Sequence, residues 1–391
     1  MVEVMKMKEG YRQTEIGIIP SDWEVDEIQN LMNITTGAKN TQDKIQDGDY
    51  PFFVRSQTIE RINSYSFDGE AVLTAGDGVK TGKVFHYING KFDFHQRVYK
   101  ISAFSERLSG YFFYLYFSKN FYNRIMQMTA KSSVDSVRRE MIAKMLIPIP
   151  TKDEQTAIAT ALNDTHALIT HLEKLIAKKR SIKQGAIQEL LKPKEGWVVK
   201  KLGEVSVKVS NGYVYKPNKS IGVAITRIET ISKGIIDFNR VGYAKKESNL
   251  EQYKLEKGDI LFSHINSIDH IGKVAYYNDE RELYHGMNLL AIRANKQKID
   301  DNFLFIWLGS EFGRLKSKVL AKQAINQASI STTDLKDMEI PIPTFKIQTH
   351  IAQTISDMDA EIEALERKLE KYKMIKQGMM QNLLTGKIRL V

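Results

Sequence analysis

The sequence predicts an α+β protein built as a pseudo-two-fold internal repeat: two mixed α/β domains, each followed by one long helix. Three observations carry this. "IPIPT" at 147–151 recurs at 340–344, and "IKQG" from Ile182 recurs from Ile375, both at a shift of 193 residues. Downstream of each "IPIPT", apolar residues recur in alternating steps of four and three, the spacing of a heptad seam. Upstream of each, short β-branched runs bounded by turn residues lead into one aromatic-rich helical stretch.

The elements follow in chain order. Residues 1–151 form the first domain, with strands in "YPFFVRS" from Tyr50 and "KVFHYING" from Lys83 and a helix in "YFFYLYFSKNFYNRIMQM" from Tyr111. Pro148 and Pro150 close it, since proline cannot donate to a ladder and holds its predecessor extended. The first long helix occupies 152–192, with Ile158, Leu162, Thr165, Ile169, Leu172, Ile176, Lys179, Lys183, Ala186 and Leu190 on the seam. Residues 193–344 repeat the plan, with strands in "VAITRIET" from Val223 and "KVAYYNDE" from Lys273 and a matching helix in "FLFIWLGSEFGRLKSKVL" from Phe303. The second long helix and a short tail fill 345–391, where Ile351, Ile355, Met358, Ile362, Leu365, Leu369, Tyr372, Lys376, Met379 and Leu383 repeat the seam.

The register holds without a gap through the rear of the repeat and slips in front. Gly82-Lys83-Val84 matches Gly272-Lys273-Val274, and His95 matches His285, at a shift of 190, whereas "DWEV" from Asp22 matches "GWVV" from Gly196 at 174. A well-kept rear and a divergent front imply a shared frame carrying two different faces. Two such seams most simply bury one another, in either orientation, over a span of roughly 48 Å at about 1.5 Å per residue. Lys183 and Lys376 at equivalent seam steps are expected either to set pairing register or to snorkel to solvent. Residues 383–391 overlie 190–198, so the two chain ends are expected to complete together what the middle of the chain does continuously.

Composition narrows the function. The chain has 391 residues and a formal net charge of +10, which makes a polyanion the first partner to consider. With no cysteine, disulfides, thiol catalysis and Cys-ligated metals are excluded. The N-terminus lacks an apolar core of signal-peptide length, and no run approaches a membrane span, so a cytoplasmic protein is expected. "GDGVKTGKV" from Gly76 mimics a phosphate loop but fails its spacing, because Asp77 stands where glycine is needed and Val84 where Ser or Thr is needed. His166 and His171 lie on different helix faces, and His264 and His270 have no carboxylate motif beside them, so no metal site is expected. No nucleotide-binding, nucleophile-elbow or amino-methyltransferase motif is present, and the chain reads as non-enzymatic.

"YRQTEIGIIPSDWEV" from Tyr11, the paired "PIP" boundaries at Pro148 and Pro341, the long helices ending in "IKQG" and "LL", and the two "GKV" elements carry a resemblance over nearly the whole length. The sequence resembles the specificity (S) subunit of Type I restriction-modification systems. That implies two target-recognition domains separated by two long antiparallel coiled-coil helices. It also implies a subunit without catalysis, each domain reading one half of a bipartite, asymmetric double-stranded DNA target while the helices set the gap. The implied partners are two methyltransferase (M) subunits, which use S-adenosylmethionine, and restriction (R) subunits, which use ATP and Mg. A two-domain protein-interaction scaffold, or a specificity module of a different modification enzyme, are the other readings.

Base readout needs fork-shaped donors and amides, and phosphate contact needs basic and small polar groups. The candidates in the first domain are Arg55, Gln57, Lys80, Thr81, Lys83, Gln96, Arg97, Lys131 and Arg138. In the second they are Tyr213, Tyr215, Lys216, Asn218, Arg227, His264, Asn266, Lys273, Asn288 and Gln323. They are chosen by chemistry and expected loop location, since the family offers no motif that fixes base contacts.

Overall fold

The computed structural model describes residues 9–128, 136–215, 222–324 and 327–390. They form two compact units that depart from linear chain order. One is Met1–Glu173 with Arg367–Val391, the other Lys174–Glu366. Each unit is therefore one mixed domain with about half of each long helix.

In the first unit a six-stranded sheet runs in the order Asn33–Thr36, Val98–Ser102, Phe67–Ala75, Phe85–Phe94, Tyr50–Phe53, Ile59–Ile62. Side chains alternate across a strand, so Val72 faces one layer while Ala71 and Leu73 face another. Both layers are apolar. The first is closed by the helix Gly110–Met128, whose Phe113, Phe117 and Phe121 stack in succession.

The second unit has a four-stranded sheet in the order Ser206–Asn211, Leu290–Ala294, Ile260–Phe262, Val274–Tyr276. Two expectations are corrected here. The single helix expected from Phe303 is broken into Asp301–Gly309 and Glu311–Leu320, with Ser310 extended at φ −69° and ψ 170°. Ser310 caps the second piece by accepting from the Gly313 backbone N–H, the role in which serine outperforms its poor helix propensity. The strand in "VAITRIET" is confined to Val223–Ile225, and the chain then turns into a 3-10 helix at Ile228–Ile231.

A repeated frame carries both domains. Glu24–Glu27 pairs antiparallel with Leu146–Ile149, and Val198–Lys201 pairs in the same way with Glu339–Ile342. Pro148 and Pro341 lie within these strands instead of stopping them, because a two-stranded pair leaves each strand one free edge. Ile28 N–H donates to Met145 O at 3.0 Å, and the repeat-related Leu202 N–H donates to Met338 O at 2.8 Å. Gln155 and Gln348, both buried, perform one task twice. Gln155 accepts from Ser109 N–H and donates to Pro150 O, while Gln348 accepts from Asp300 N–H and donates to Pro343 O. Each glutamine thus ties the start of a long helix to the start of its domain's aromatic helix.

The long helices span Lys152–Leu190 and Phe345–Asn382. In the first unit Thr165 Oγ1 donates to Met379 Sδ at 3.5 Å and Lys373 pairs with Glu173 at 2.9 Å. In the second, Lys179 pairs with Glu361 at 2.7 Å and Lys183 with Asp359. In both, numbers rise on one helix as they fall on the other. The pairing is antiparallel within each unit, with the seam residues Ile158, Leu162, Ile169, Leu172 and Ile176 buried.

Both chain ends build the first unit. Leu383 and Leu384 enter its core with Trp23 and Ile158, as Leu191 enters the second core with Ile351. Tyr11 Oη donates to Gly386 O at 2.9 Å, and Gly386 sits at φ +69° with Pro20 and Trp23 against its Cα, where a side chain would collide. Glu154, 0% exposed, accepts from Trp23 Nε1 at 2.8 Å and from Arg389 Nε at 2.5 Å, and Arg389 also grips Asp22 through two 2.9 Å bonds. The positions matching Glu154 and Arg389 are Ile347 and Gly196, so the second unit, where the chain is continuous, has no such clasp.

Candidate nucleic-acid interface

The first domain gathers its loops by backbone bonds. His95 N–H donates to Phe53 O at 2.9 Å, Gln96 N–H to Lys39 O at 2.8 Å, Gly76 N–H to Arg97 O at 2.8 Å and Val137 N–H to Gly76 O at 2.7 Å. Four separate segments therefore meet around Gly76 and Asp77. Gly37 permits the approach, since a Cβ there would lie 2.0 Å from the Phe94 carbonyl oxygen.

Asp77 organises the cluster. Its carboxylate accepts from Arg55 Nη1 and from Arg97 Nη1, each at 3.0 Å, while the two guanidinium side chains remain 45% and 64% exposed. One carboxylate between two guanidiniums leaves a net positive charge and several N–H donors facing water, a suitable arrangement for phosphate or for O6 and N7 of guanine. Gln96 donates to Asn40 Oδ1 at 2.6 Å, and Gln57 reaches Phe85 O at 3.4 Å, which leaves each an exposed amide edge. Arg138 follows the backbone bridge between Asp77 and Ser136 and is exposed. Lys80 is exposed, Lys83 lies over the Tyr122 ring at 4.4 Å, and Thr81 turns inward, its hydroxyl bonded to Gly78 O. Lys131 lies outside the described residues.

The second domain has a different face. Tyr213, Tyr215, Arg227 and Asn288 gather around the hairpin of Val223–Ile225 and Gly242–Ala244. Tyr213 N–H donates to His285 O and Met287 N–H to Tyr213 O, both at 2.9 Å, which places Asn288, at φ +72°, beside Tyr213. Gly242 leaves room for Tyr215 Oη and Arg227 Cδ, whose contacts a Cβ would meet at 2.4 and 3.1 Å. Tyr213 Oη donates to Glu247 and Arg227 pairs with Glu229.

A second group forms at the small sheet of Ile265–Asn266, Gln327–Ser329 and Lys322–Ala324, where Asn266 and Gln323 both lie opposite Ala328. Lys273 Nζ is held by Ser232 O at 3.1 Å. His264 is buried with its Nδ1 unpartnered, and desolvation pushes its pKa down to about 4, so it is neutral at pH 7. Lys216 and Asn218 lie outside the described residues. The second-domain candidates thus fall into two groups, whereas in the first domain Arg55 and Arg97 share Asp77 and Arg138 follows its backbone bridge.

Three working residues escaped the sequence reading. Asp77 was visible only as the misfit in a phosphate-loop pattern. His95 and His285 match in the repeat, but no motif marks their work: His95 Nδ1 accepts from Arg97 N–H at 2.9 Å, and His285 Nε2 bonds Leu289 O at 3.0 Å. Burial lowers both pKa values, that of His285 to about 4, so they anchor loops as neutral rings. Among the described residues no group of three or more His, Cys, Asp or Glu is placed to hold a metal ion, and no helix is long and apolar enough to cross a membrane.

One duplicated frame bearing two unlike loop faces defines a two-headed recognition protein. Comparison with known proteins gives that class its family. The chain belongs to the Type I restriction modification DNA specificity domain family, whose profile matches residues 20–184 and again 194–373. It is 42% identical over 212 residues to a putative type I restriction enzyme MjaX specificity subunit of Methanocaldococcus jannaschii, a match covering 53% of this chain and 49% of that protein. It is 25% identical to the type I restriction enzyme MjaVIII specificity subunit of the same organism, over 100% of this chain and 99% of that one. The fold is similar to that in the crystal structure of a Type I restriction-modification system S subunit from M. genitalium, with TM-score 0.60, 16% identity, and 97% and 98% of the two chains covered.

Proposed function

We propose that this chain is the DNA-recognition subunit of a Type I restriction-modification complex, each domain reading one half of a bipartite, asymmetric double-stranded target. The observation that carries it is the contrast between a repeated frame, Gln155 with Gln348 above all, and unrepeated faces, Arg55–Asp77–Arg97 against Tyr213, Tyr215 and Arg227. A frame that is copied while its loops are not is what reading two different half-sites requires.

The paired helices hold the domains and set the unread gap. They also offer a docking surface for methyltransferase subunits. In the second unit an open groove of about 1340 Å³ beside Lys183 and Asp359 is lined by Ile187, Ile235, Phe305 and Leu315. Catalysis belongs to the partners: adenine methylation with S-adenosylmethionine in the M subunits, and ATP- and Mg-dependent cleavage in the R subunits. Methylome sequencing of the host with and without this gene tests the proposal. One bipartite motif disappears with the gene, and an unaltered pattern of methylation refutes the function.

A further inference from the structure

We infer that Val79 is a base-reading residue of the first domain, contacting the 5-methyl group of a thymine in the major groove of the first half-site. The inference deepens the proposed function and rests on it. Single exposed apolar side chains are ordinary on protein surfaces, so exposure alone assigns nothing. Position does. Val79 is 106% exposed, more than any other large hydrophobic side chain among the described residues, and stands at the apex of the turn joining the two central strands of the sheet.

That turn is built to hold its apex still. Thr81 N–H donates to Gly78 O at 3.0 Å, the buried Thr81 hydroxyl donates to the same oxygen, and Lys83 N–H donates to Lys80 O at 2.9 Å. Gly78 and Gly82, at φ +102° and +72°, supply conformations that a side chain would strain. At the root of the turn sits Asp77 with Arg55 and Arg97, and Lys80 is the next residue along. The apex is thus a β-branched, apolar tip on a hydrogen-bonded turn, with cationic donors at the root of that turn and at the next residue. Phosphate-directed charge around an apolar contact is the pairing that reads thymine, whose methyl group is the one apolar feature on a base edge in the major groove.

The repeat supplies an internal contrast. At the shift of 190 that aligns Gly82 with Gly272, Val79 corresponds to Asp269, and the bond from Lys83 N–H to Lys80 O has its counterpart in Lys273 N–H on His270 O at 3.4 Å. Asp269, whose side chain is 83% exposed, is acidic and cannot make the same contact. Asp269 faces Lys318 at 4.0 Å, so the two turns present different chemistry at equivalent places.

The test is a cycle between Val79→Ala and thymine→uracil, with the full chain in its methyltransferase complex and affinity measured on target duplexes in which each first-half thymine is replaced in turn. Loss of one buried methyl contact corresponds to about fourfold in affinity. Wild type is expected to lose about fourfold at one thymine, and Val79→Ala to bind the thymine and uracil duplexes equally, with unchanged Tm. A wild-type protein indifferent to every uracil replacement overturns the inference. So does a variant that weakens all duplexes alike, which would mark Val79 as a wedge between base steps. A complex with no bipartite target at all overturns the proposed function as well, so the two failures are told apart by whether wild type still selects its motif.

Discussion

At the residue scale, buried ionic groups govern the closure of the first unit. Glu154 has no water to turn to, so its charge depends on Arg389 and Trp23. Breaking a fully buried pair costs roughly 3–5 kcal/mol; with the Arg389 side chain 26% exposed, Arg389→Ala is expected to cost about 2–3 kcal/mol. Glu154→Gln in that background should recover part of the loss, because it removes the stranded charge. Differential scanning calorimetry on the three proteins measures both. The bidentate bond from Arg389 holds the Asp22 carboxyl below its ordinary range. A carboxylate with a depressed folded-state pKa stabilises fully above its unfolded value near 4 and loses that contribution as pH falls through the folded value. The wild-type advantage over Arg389→Ala should therefore shrink in acid below about pH 4. None of this was legible in the sequence. Glu154 reads there as an ordinary first-turn carboxylate, and Arg389 lies 235 residues away in the tail.

At the element scale, the sequence was most informative where periodicity is long. Both helices and both seams were legible, because ten apolar or half-buried positions in strict four-three alternation leave few other structures open. The helix broken at Ser310 and the strand shortened at Ile225 were missed because a capping serine and a 3-10 turn depend on local hydrogen bonds that periodicity does not register. The two seam lysines turn out unlike. Lys183 reaches Asp359 on the facing helix, whereas the repeat equivalent of Asp359 is His166, and burial lowers the pKa of Lys376. A lysine with a lowered folded-state pKa weakens the fold at neutral pH, and that cost fades as pH rises from the lowered folded value towards the ordinary 10.5, above which it is gone. Lys376→Leu should raise stability by about 1 kcal/mol, or ~2–4 °C in Tm, while Lys183→Leu should be close to neutral and lose pairing register. Thermal melts of both variants, with the methylated motif of each, separate a register role from simple burial.

At the scale of the whole molecule, the repeat was legible and so was the divergence of its front halves, which together pointed to two readers on one frame. Which side chains form each face was only partly legible, because a face is assembled from segments far apart in sequence. Arg55, Asp77, Arg97 and Arg138 share no motif, and His95 and Gly37 bring them together through backbone contacts. Chemistry chosen without that geometry included Thr81 and His264, which are buried. The central claim is that each domain reads its own half-site independently. Single-molecule methylomes of wild type, Arg97→Ala and Arg227→Ala, taken side by side, test it most directly. Wild type should show one bipartite motif, Arg97→Ala should relax only one half, and Arg227→Ala only the other. Both variants relaxing the same half, or each relaxing both, would contradict it.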